Sequence, residues 1–489
     1  MAIAERVDDP GANPSLSGWL TVTWGDPEPG TAGKAPRTLY SLTDDAGKST
    51  RLMMSESVAR AAGGITALDG RYVNVSGRFG ARRANSDARN AGVPSLQVDS
   101  IEIIPAAAVR DTFSAQSDSA SIIGSQPWIS IMCKFSDVAD EPESWSYFHD
   151  MYFAFYPGLD HYWREVSYDK VDFLGSGAVG WYTLPRPRSY YVYDMDGDKS
   201  EELDIARATL DCTSAADPDV YFLNYVGINL MFNFELDGYS WGGTRDLELD
   251  GLSGNWRMTW QPPWSYGNLA VVAHEMGHGY GLPHSSGDYG EVYDNAWDVM
   301  SDNWSNCSLV RNLVYGCPGK HPISYHKDRL GWMPAALKYR AASNRRDTIT
   351  LERLALPRTG VYRMVEIPIA GSLTHFYTVE VRRLAGYDRK LPGEGVIIHE
   401  VDTTRERPAH VLDIDGNGDT GDAGAIWTVG ETFSDAENGI SVSIDSETAT
   451  GFVVTVGIKE IGDGGGSDEG DPWCFPIKAK SGNVVMICL

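Results

Sequence analysis

Residues 268–282 read NLAVVAHEMGHGYGL, and Leu269, Val272, Ala273 and Met276 recur there at helical spacing, which places His274 and His278 one turn apart on the same face. Two imidazoles so placed can grip one metal ion. Glu275 sits beside the first, where its carboxylate reaches the attacking water rather than the metal, the general-base position of a His-Glu-x-x-His motif. Gly281 is free to take a left-handed conformation, end the helix and swing the chain back, so that His284 arrives as third ligand. Three neutral nitrogens in an open tetrahedron select zinc and leave a fourth position for water. A closed structural zinc is disfavoured, because such sites use thiolates and no cysteine lies within twenty residues of the motif. The chemistry these residues point to is hydrolysis of a polarised carbonyl, with Glu275 taking a proton from water and handing it to the leaving amine.

Two acidic loops suggest a harder cation. Asp194, Asp196 and Asp198, followed by Glu201, Glu202 and Asp204, space carboxylates at every second residue, and Asp413, Asp415, Asn417 and Asp419 match the first half of an EF-hand-like loop with Gly418 in sixth place. Neither has the closing Glu: the second loop carries Gly424 at its twelfth position. Calcium at either loop, or a solvated turn, fits that pattern.

These residues must be held by a chain of 489 residues, enough for about three domains. With 42% hydrophobic and 22% charged residues it is neither disordered nor a coiled-coil rod. Lys and Arg total 41 against 67 Asp and Glu, a net charge of −26, which repels phosphate backbones and excludes nucleic acid as a partner. No stretch approaches the length of an apolar membrane span. Six cysteines fall into pairs by placement: Cys307 with Cys317 around one loop, Cys474 with Cys488 around the last segment, and Cys133 with Cys212 remaining. Three disulfides imply an oxidising, extracellular destination, and since MAIAERVDDPGANPSLSG has no basic start and apolar run, a trimmed leader.

Residues 1–112 read as short strands, Gly18–Thr23, Thr38–Leu42, Arg71–Gly77 and Leu96–Ile104, with one helix at Ser55–Gly63: a small β-barrel or sandwich, either prodomain or accessory module, followed by a polar linker at Ser114–Ser121. Residues 122–340 alternate strand and helix, with strands at Trp128–Phe135 and Gly227–Phe234 and helical periodicity over Glu143–Ser167. Residues 345–460 return to β alternation, as a sandwich. A Gly and acid linker at 461–472 leads to a hairpin at 473–489 clasped by Cys474 and Cys488. Arg257–Pro263, RMTWQPP, is expected to be the edge strand on which an extended substrate pairs, or else a surface loop.

The string His274-Glu275-Met276-Gly277-His278-Gly279-Tyr280-Gly281-Leu282-Pro283-His284, with Asp298-Val299-Met300-Ser301 downstream, resembles the metzincin metallopeptidases, whose extended motif and Met-turn it matches. GLPHSSG, YDNAWDVMS, YHKDRLGW and EGVIIHEVD narrow the resemblance, over about residues 125–458, to secreted peptidases of the gametolysin and immune-inhibitor-A type. His284 stands where immune-inhibitor-A relatives have Asp, which favours the gametolysin side. The resemblance implies an α+β chain: a zincin-like domain with a mixed sheet and an active-site helix, flanked by the N-terminal barrel and the C-terminal sandwich. It implies a secreted, monomeric zinc endopeptidase acting on proteins or peptides, with Met300 as the apolar floor of the metal site. The tyrosine some metzincins place two residues after that methionine is Asp302 here, leaving Tyr289, Tyr293 and Tyr325 as candidate oxyanion donors. No cysteine in residues 1–112 could cap a zinc, so an inhibitory prodomain would need a carboxylate such as Asp44 or Asp45. Alternatives are a zinc-bearing adhesin without turnover, against which Glu275 argues, and a zinc hydrolase of a non-peptide amide.

Overall fold

The computed structural model describes residues 14–29, 31, 34–80, 95–105, 121–195, 197–287 and 293–459, together with the backbone of 474–478 and 484–488. The linkers expected at Ser114–Ser121 and 461–472 lie essentially outside the described residues, as do Asp196, Tyr289 and the side chains of Cys474 and Cys488.

Five strands build the N-terminal module: β1 (Ser15–Pro27), β2 (Arg37–Thr43), β3 (Ser49–Met53), β4 (Tyr72–Phe79) and β5 (Ser95–Ile103), with helices α1 (Glu56–Ala61) and α2 (Ile65–Leu68) between β3 and β4. The order β2-β3-β5-β4-β1 closes because β1 also pairs with β2, giving a small five-stranded barrel. Its core is its own: Leu20, Val22, Trp24, Leu42, Leu52, Val73, Val75 and Leu96 alternate inward along the strands. The Ser55 side chain accepts from the Val58 N–H and starts α1 where expected; α2 is an additional turn.

The middle domain is a mixed sheet between helices. Strands β6 (Trp128–Lys134), β7 (Gly177–Thr183), β8 (Gly227–Phe232), β9 (Tyr239–Leu249) and β10 (Leu252–Gln261) lie in the order β9-β10-β8-β6-β7. β10, β8, β6 and β7 are parallel; β9 is antiparallel to β10. Along β6, Trp128 and Met132 face one core and Ile129, Ile131 and Cys133 the other, so both faces are covered, as a largely parallel sheet requires. One face carries α3 (Trp145–Asp150), α4 (Leu159–Ser167) and α6 (Leu269–Gly279); the other carries α5 (Ile205–Ala216), tied to β6 by the Cys133–Cys212 disulfide. The helical periodicity over 143–167 resolves into two helices, because the intervening stretch holds Pro157, which cannot donate a helical hydrogen bond.

The C-terminal domain packs a five-stranded sheet, which begins with Lys338–Arg340, on a four-stranded one around Ile349, Val365, Val379, Ile398, Val442, Val454 and their neighbours, a β-sandwich. A second shared core joins Trp297, Ile323 and Tyr325 of the middle domain to Phe376, Ile397, Val401 and Ala409 of the sandwich, which therefore braces the middle domain. Cys474–Lys478 and Val484–Cys488 form an antiparallel hairpin with Cys474 opposite Cys488 in register. The whole is mixed α/β and mostly sheet.

One feature departs from the expected layout. β9, not the Arg257–Pro263 segment, is the edge of the middle sheet; that segment lies largely in β10, paired on both sides, with Met258 and Trp260 buried on one face and Thr259 and Gln261 on the other. The β9 edge is itself covered by β1, which pairs antiparallel with it from Thr23↔Gly243 to Pro27↔Tyr239. Barrel and middle sheet are thus one continuous ten-stranded sheet.

Candidate metal centre

α6 packs on β9 and β10 and carries His274, Glu275 and His278, all buried. The close approach to β9 requires Gly242, where a β-carbon would stand 2.4 Å from the Glu275 carbonyl oxygen and 2.8 Å from its Cα. The helix stops at Gly279, Gly281 takes φ +78°, and the chain turns back to deliver His284. Met300 lies beneath: a β-carbon on Gly277 would meet its sulfur at 2.5 Å. The Met300 turn is itself pinned by Asp298, which accepts from the Ser285 hydroxyl at 2.6 Å and lies 2.8 Å from His326 Nδ1. Burial is the largest influence and pushes the Asp298 carboxyl up, but His326, the Ser285 hydroxyl and the Met300 N–H together outweigh it and hold the carboxyl far below the usual carboxylate range.

The three Nε2 atoms converge, His274 to His278 and His278 to His284 at 3.1 Å and His274 to His284 at 3.3 Å. Nitrogens at the corners of a tetrahedron around zinc, with Zn–N near 2.05 Å, stand about 3.3 Å apart. His274 Nδ1 lies 2.8 Å from the Val299 carbonyl and His278 Nδ1 2.7 Å from the Leu282 carbonyl, so each ring donates its Nδ1 proton outward and turns the Nε2 lone pair inward. Lone pairs aimed at one another repel unless a cation lies between them, so the donor set fits a zinc ion. Burial pushes the His278 imidazole down to about 3, in line with a neutral ring.

A fourth group completes the cluster. Asp26, on β1 of the barrel, places Oδ1 2.8 Å from His284 Nε2 and Oδ2 3.3 Å from both His274 Nε2 and His278 Nε2. Asp26 and the three histidines form a buried group able to hold a metal ion. Two residues earlier on the same strand face, the Trp24 ring stacks on His278 with centroids 4.7 Å apart. The Tyr293 hydroxyl donates to Asp26 Oδ1, and its ring centroid lies 5.7 Å from that of His284. Burial, with the Asp26 charge behind it, pushes the Tyr293 phenol well up, so it remains a donor.

Glu275 has both carboxylate oxygens buried with no hydrogen-bond partner; the nearby Ser240 hydroxyl donates to Gln261 Oε1 at 3.0 Å instead. Burial first, then the Asp26 charge, pushes its carboxyl well up, against a small opposing pull from Ser240. An orphaned buried carboxylate beside three converging imidazoles is an acceptor waiting for a proton donor.

Sequence reasoning offered Asp44 and Asp45 as capping carboxylates; both lie in a turn, where Asp44 accepts from the Ala46 and Lys48 N–H groups and Asp45 from the Tyr72 hydroxyl. Asp26 was missed. Its one local signal is alternation: Val22, Trp24 and Asp26 share the inward face of β1, and an inward acid needs a partner. Of the candidate tyrosines, Tyr293 is at the cluster, while Tyr325 lies in the core shared with the sandwich. Asp302 caps a turn through the Trp304 and Ser305 N–H groups.

In the second acidic loop Asp413 and Asp415 converge with Asp422, which the sequence pattern did not include, into a second group that could hold a metal ion, and Asp419 is not among its carboxylates. Gly424 is where it is because a β-carbon there would meet Oδ1 of all three, at 2.1, 2.9 and 2.9 Å. Asp419 accepts from the Gly421 N–H, and Asn417 donates to Asp422. In the first loop Asp194 accepts from the Gly197 and Lys199 N–H groups and Asp198 from Ser200, which is the hydrogen bonding of a turn. The Cys307–Cys317 disulfide closes the loop after the Met300 turn. Among the described residues no helix is long and apolar enough to cross a membrane.

Comparison of the chain with protein-family models, with curated proteins and with solved structures returned no match.

Proposed function

We propose that the chain is a secreted zinc-dependent endopeptidase of the metzincin kind, similar to the gametolysin and immune-inhibitor-A type. The observation that carries this reading is the set of three inward-facing Nε2 atoms 3.1–3.3 Å apart with the unpartnered Glu275 carboxylate on the same helix. His274, His278 and His284 would hold the metal, which when bound supplies the Lewis acidity that polarises a peptide carbonyl and acidifies water. Glu275 accepts the proton of the attacking water and returns it to the leaving amine. The Tyr293 hydroxyl, aimed at the oxygens of Asp26, donates to the oxyanion of a substrate occupying the same place. The β9 edge offers the N–H and C=O groups on which an extended chain can pair. Secretion rests on the disulfides Cys133–Cys212 and Cys307–Cys317. For the all-oxygen group of Asp413, Asp415 and Asp422 calcium is the matching ion, and added calcium is expected to raise the melting temperature of the wild type but not of Asp415→Asn.

The decisive comparison uses the Asp26→Ala variant, so that no carboxylate competes for the reacting position, with and without Glu275→Ala, both loaded with zinc. Asp26→Ala is expected to cleave unfolded casein and the double variant to retain one zinc per chain while losing cleavage. Stoichiometric zinc in both with cleavage by neither would replace the peptidase with a zinc-bearing binding protein.

A further inference from the structure

The loop between Cys307 and Cys317 exposes side chains that a folded chain ordinarily buries. Leu309 is 69% exposed, Val314 59% and Leu313 102%, so that Leu313 stands clear of everything around it. We propose that this loop is a membrane-docking prong, whose apolar tip enters the surface of an anionic phospholipid bilayer while Arg311 and Arg389 meet the lipid phosphates. The proposal goes beyond the peptidase reading and stands without it.

The exposure is braced. The Cys307–Cys317 disulfide closes the loop at its base. At the tip, Asn312 Oδ1 accepts from the Val314 and Tyr315 N–H groups at 2.8 and 3.0 Å, and the Asn312 N–H donates to the Gly316 carbonyl at 2.8 Å, which fixes a tight turn with Leu313 and Val314 at its apex. Tyr315 anchors the return limb: its ring centroid lies 5.0 Å from that of Tyr147, and its hydroxyl donates to the Tyr147 carbonyl at 3.1 Å. A loop already held in this shape loses little conformational freedom when its tip is buried in a partner.

The prong belongs to a wider apolar face. Tyr156, Leu309, Val310 and Leu384 line one cleft of about 460 Å³ together with Arg311 and Arg389, so the middle domain and the sandwich both contribute to it. Phe155, beside Tyr156, is 64% exposed. Contiguous exposed apolar surface marks a docking site, and aromatic rings beside apolar tips are suited to the boundary between headgroups and acyl chains.

Charge and shape select the occupant. The chain carries a net charge of −26, yet residues 303–327 contain no Asp or Glu. Among the described residues Arg311 pairs with no carboxylate, and neither does Arg389, which lies over the Tyr156 ring 5.4 Å from its centroid. Two guanidinium groups without a counter-ion beside an apolar tip match lipid phosphates, while the acidic remainder of the surface is screened beyond about 8 Å at physiological salt. A protein partner would need a pocket shaped to receive Leu313, whereas a bilayer takes a protruding apolar tip without one.

The test is flotation of the zinc-loaded full chain with vesicles of phosphatidylcholine alone, or of an equal mixture with phosphatidylglycerol, in calcium-free buffer. Wild type is expected to float with the mixed vesicles. The double variant Leu313→Asp, Val314→Asp is expected to partition about 100-fold more weakly, or about tenfold for each apolar side chain withdrawn. Arg311→Gln with Arg389→Gln is expected to lower binding to the mixed vesicles to the level seen with phosphatidylcholine alone. Leu373→Asp, at an exposed leucine beyond the opposite end of the strand His375–Arg382 from Leu384, is expected to float as wild type does, and all variants to match its circular dichroism. Undiminished flotation of the Leu313→Asp, Val314→Asp variant, or of the arginine variant, would overturn the proposal. Failure of wild type to float with the mixed vesicles would overturn it in favour of a protein partner.

Discussion

At the scale of single residues, Tyr293 and Glu275 are separable by experiment. Glu275 moves a proton, whereas Tyr293 only donates a hydrogen bond to charge that develops on the substrate, so Tyr293→Phe in the Asp26→Ala background should lower kcat on a peptide substrate by about 100-fold with KM and zinc content unchanged. A fall in zinc content instead would make Tyr293 a structural support of His284. The metal-binding residues are legible in the sequence because His274, His278, Gly281 and His284 lie within eleven positions, where helix geometry and one left-handed glycine determine which side chains meet. Asp26 obeys no such local rule. It reaches the histidines through strand pairing between two modules, and that register depends on the β9 edge being free, which no spacing in the chain announces. The Asp422 contribution to the second acidic group is hidden in the same way: Gly424, unexplained as an EF-hand position, marks the place where three carboxylates crowd the backbone.

At the scale of elements, the contact of α6 with β9 sets the position of Glu275 relative to any strand on the edge. Gly242→Ala should force the two apart, because the new methyl would meet helix backbone rather than a yielding side-chain end; a loss of about 1–3 kcal/mol in urea unfolding is expected, with weakened zinc binding. An unchanged unfolding midpoint would show that the helix can shift without strain. Removing the Cys133–Cys212 link by a double Ala substitution should cost about 2–4 kcal/mol by the same assay, since it frees a long loop that includes α3, α4 and β7. Arg345–Glu352 of the sandwich was readable from its alternation because one face is largely exposed, whereas His375–Arg382 and Gly395–Asp402 are buried on both faces, one in the sandwich core and the other in the core shared with the middle domain. RMTWQPP misled for the same reason reversed: Thr259 and Gln261 suggest a solvent face, yet they are buried in hydrogen bonds, Thr259 donating to Asn229 at 2.7 Å and Gln261 accepting from Ser240 at 3.0 Å. A polar residue on a strand signals either water or a buried partner, and sequence cannot separate the two.

At the scale of the whole molecule, the middle domain and the sandwich are joined by a buried set of charges. Arg382, on the sandwich, pairs with Glu380 at 2.9 Å and Asp388 at 2.8 Å and donates to the Trp297 carbonyl at 2.6 Å across the boundary. Lys327 lies against this set, facing Asp388, Arg382, Glu380, Glu165, His321 and the Tyr168 ring, and donates to the Val166 carbonyl. Burial pushes its amine down to about 7, from about 10.4 in an unfolded chain. Below pH 7 both states hold the proton and the folded state bears the full cost of a buried ammonium; between about 7 and 10.4 only the unfolded state holds it, so stability rises with pH across that window. Lys327→Met removes this contribution. The unfolding free energy of wild type minus that of Lys327→Met, measured in urea, should therefore climb between pH 7 and pH 10 with a slope approaching 1.4 kcal/mol per unit and stay level below pH 6.5. A flat difference across the window would mean that the neighbouring carboxylates keep the amine charged, and that the boundary between the two domains holds a charged lysine together with Arg382.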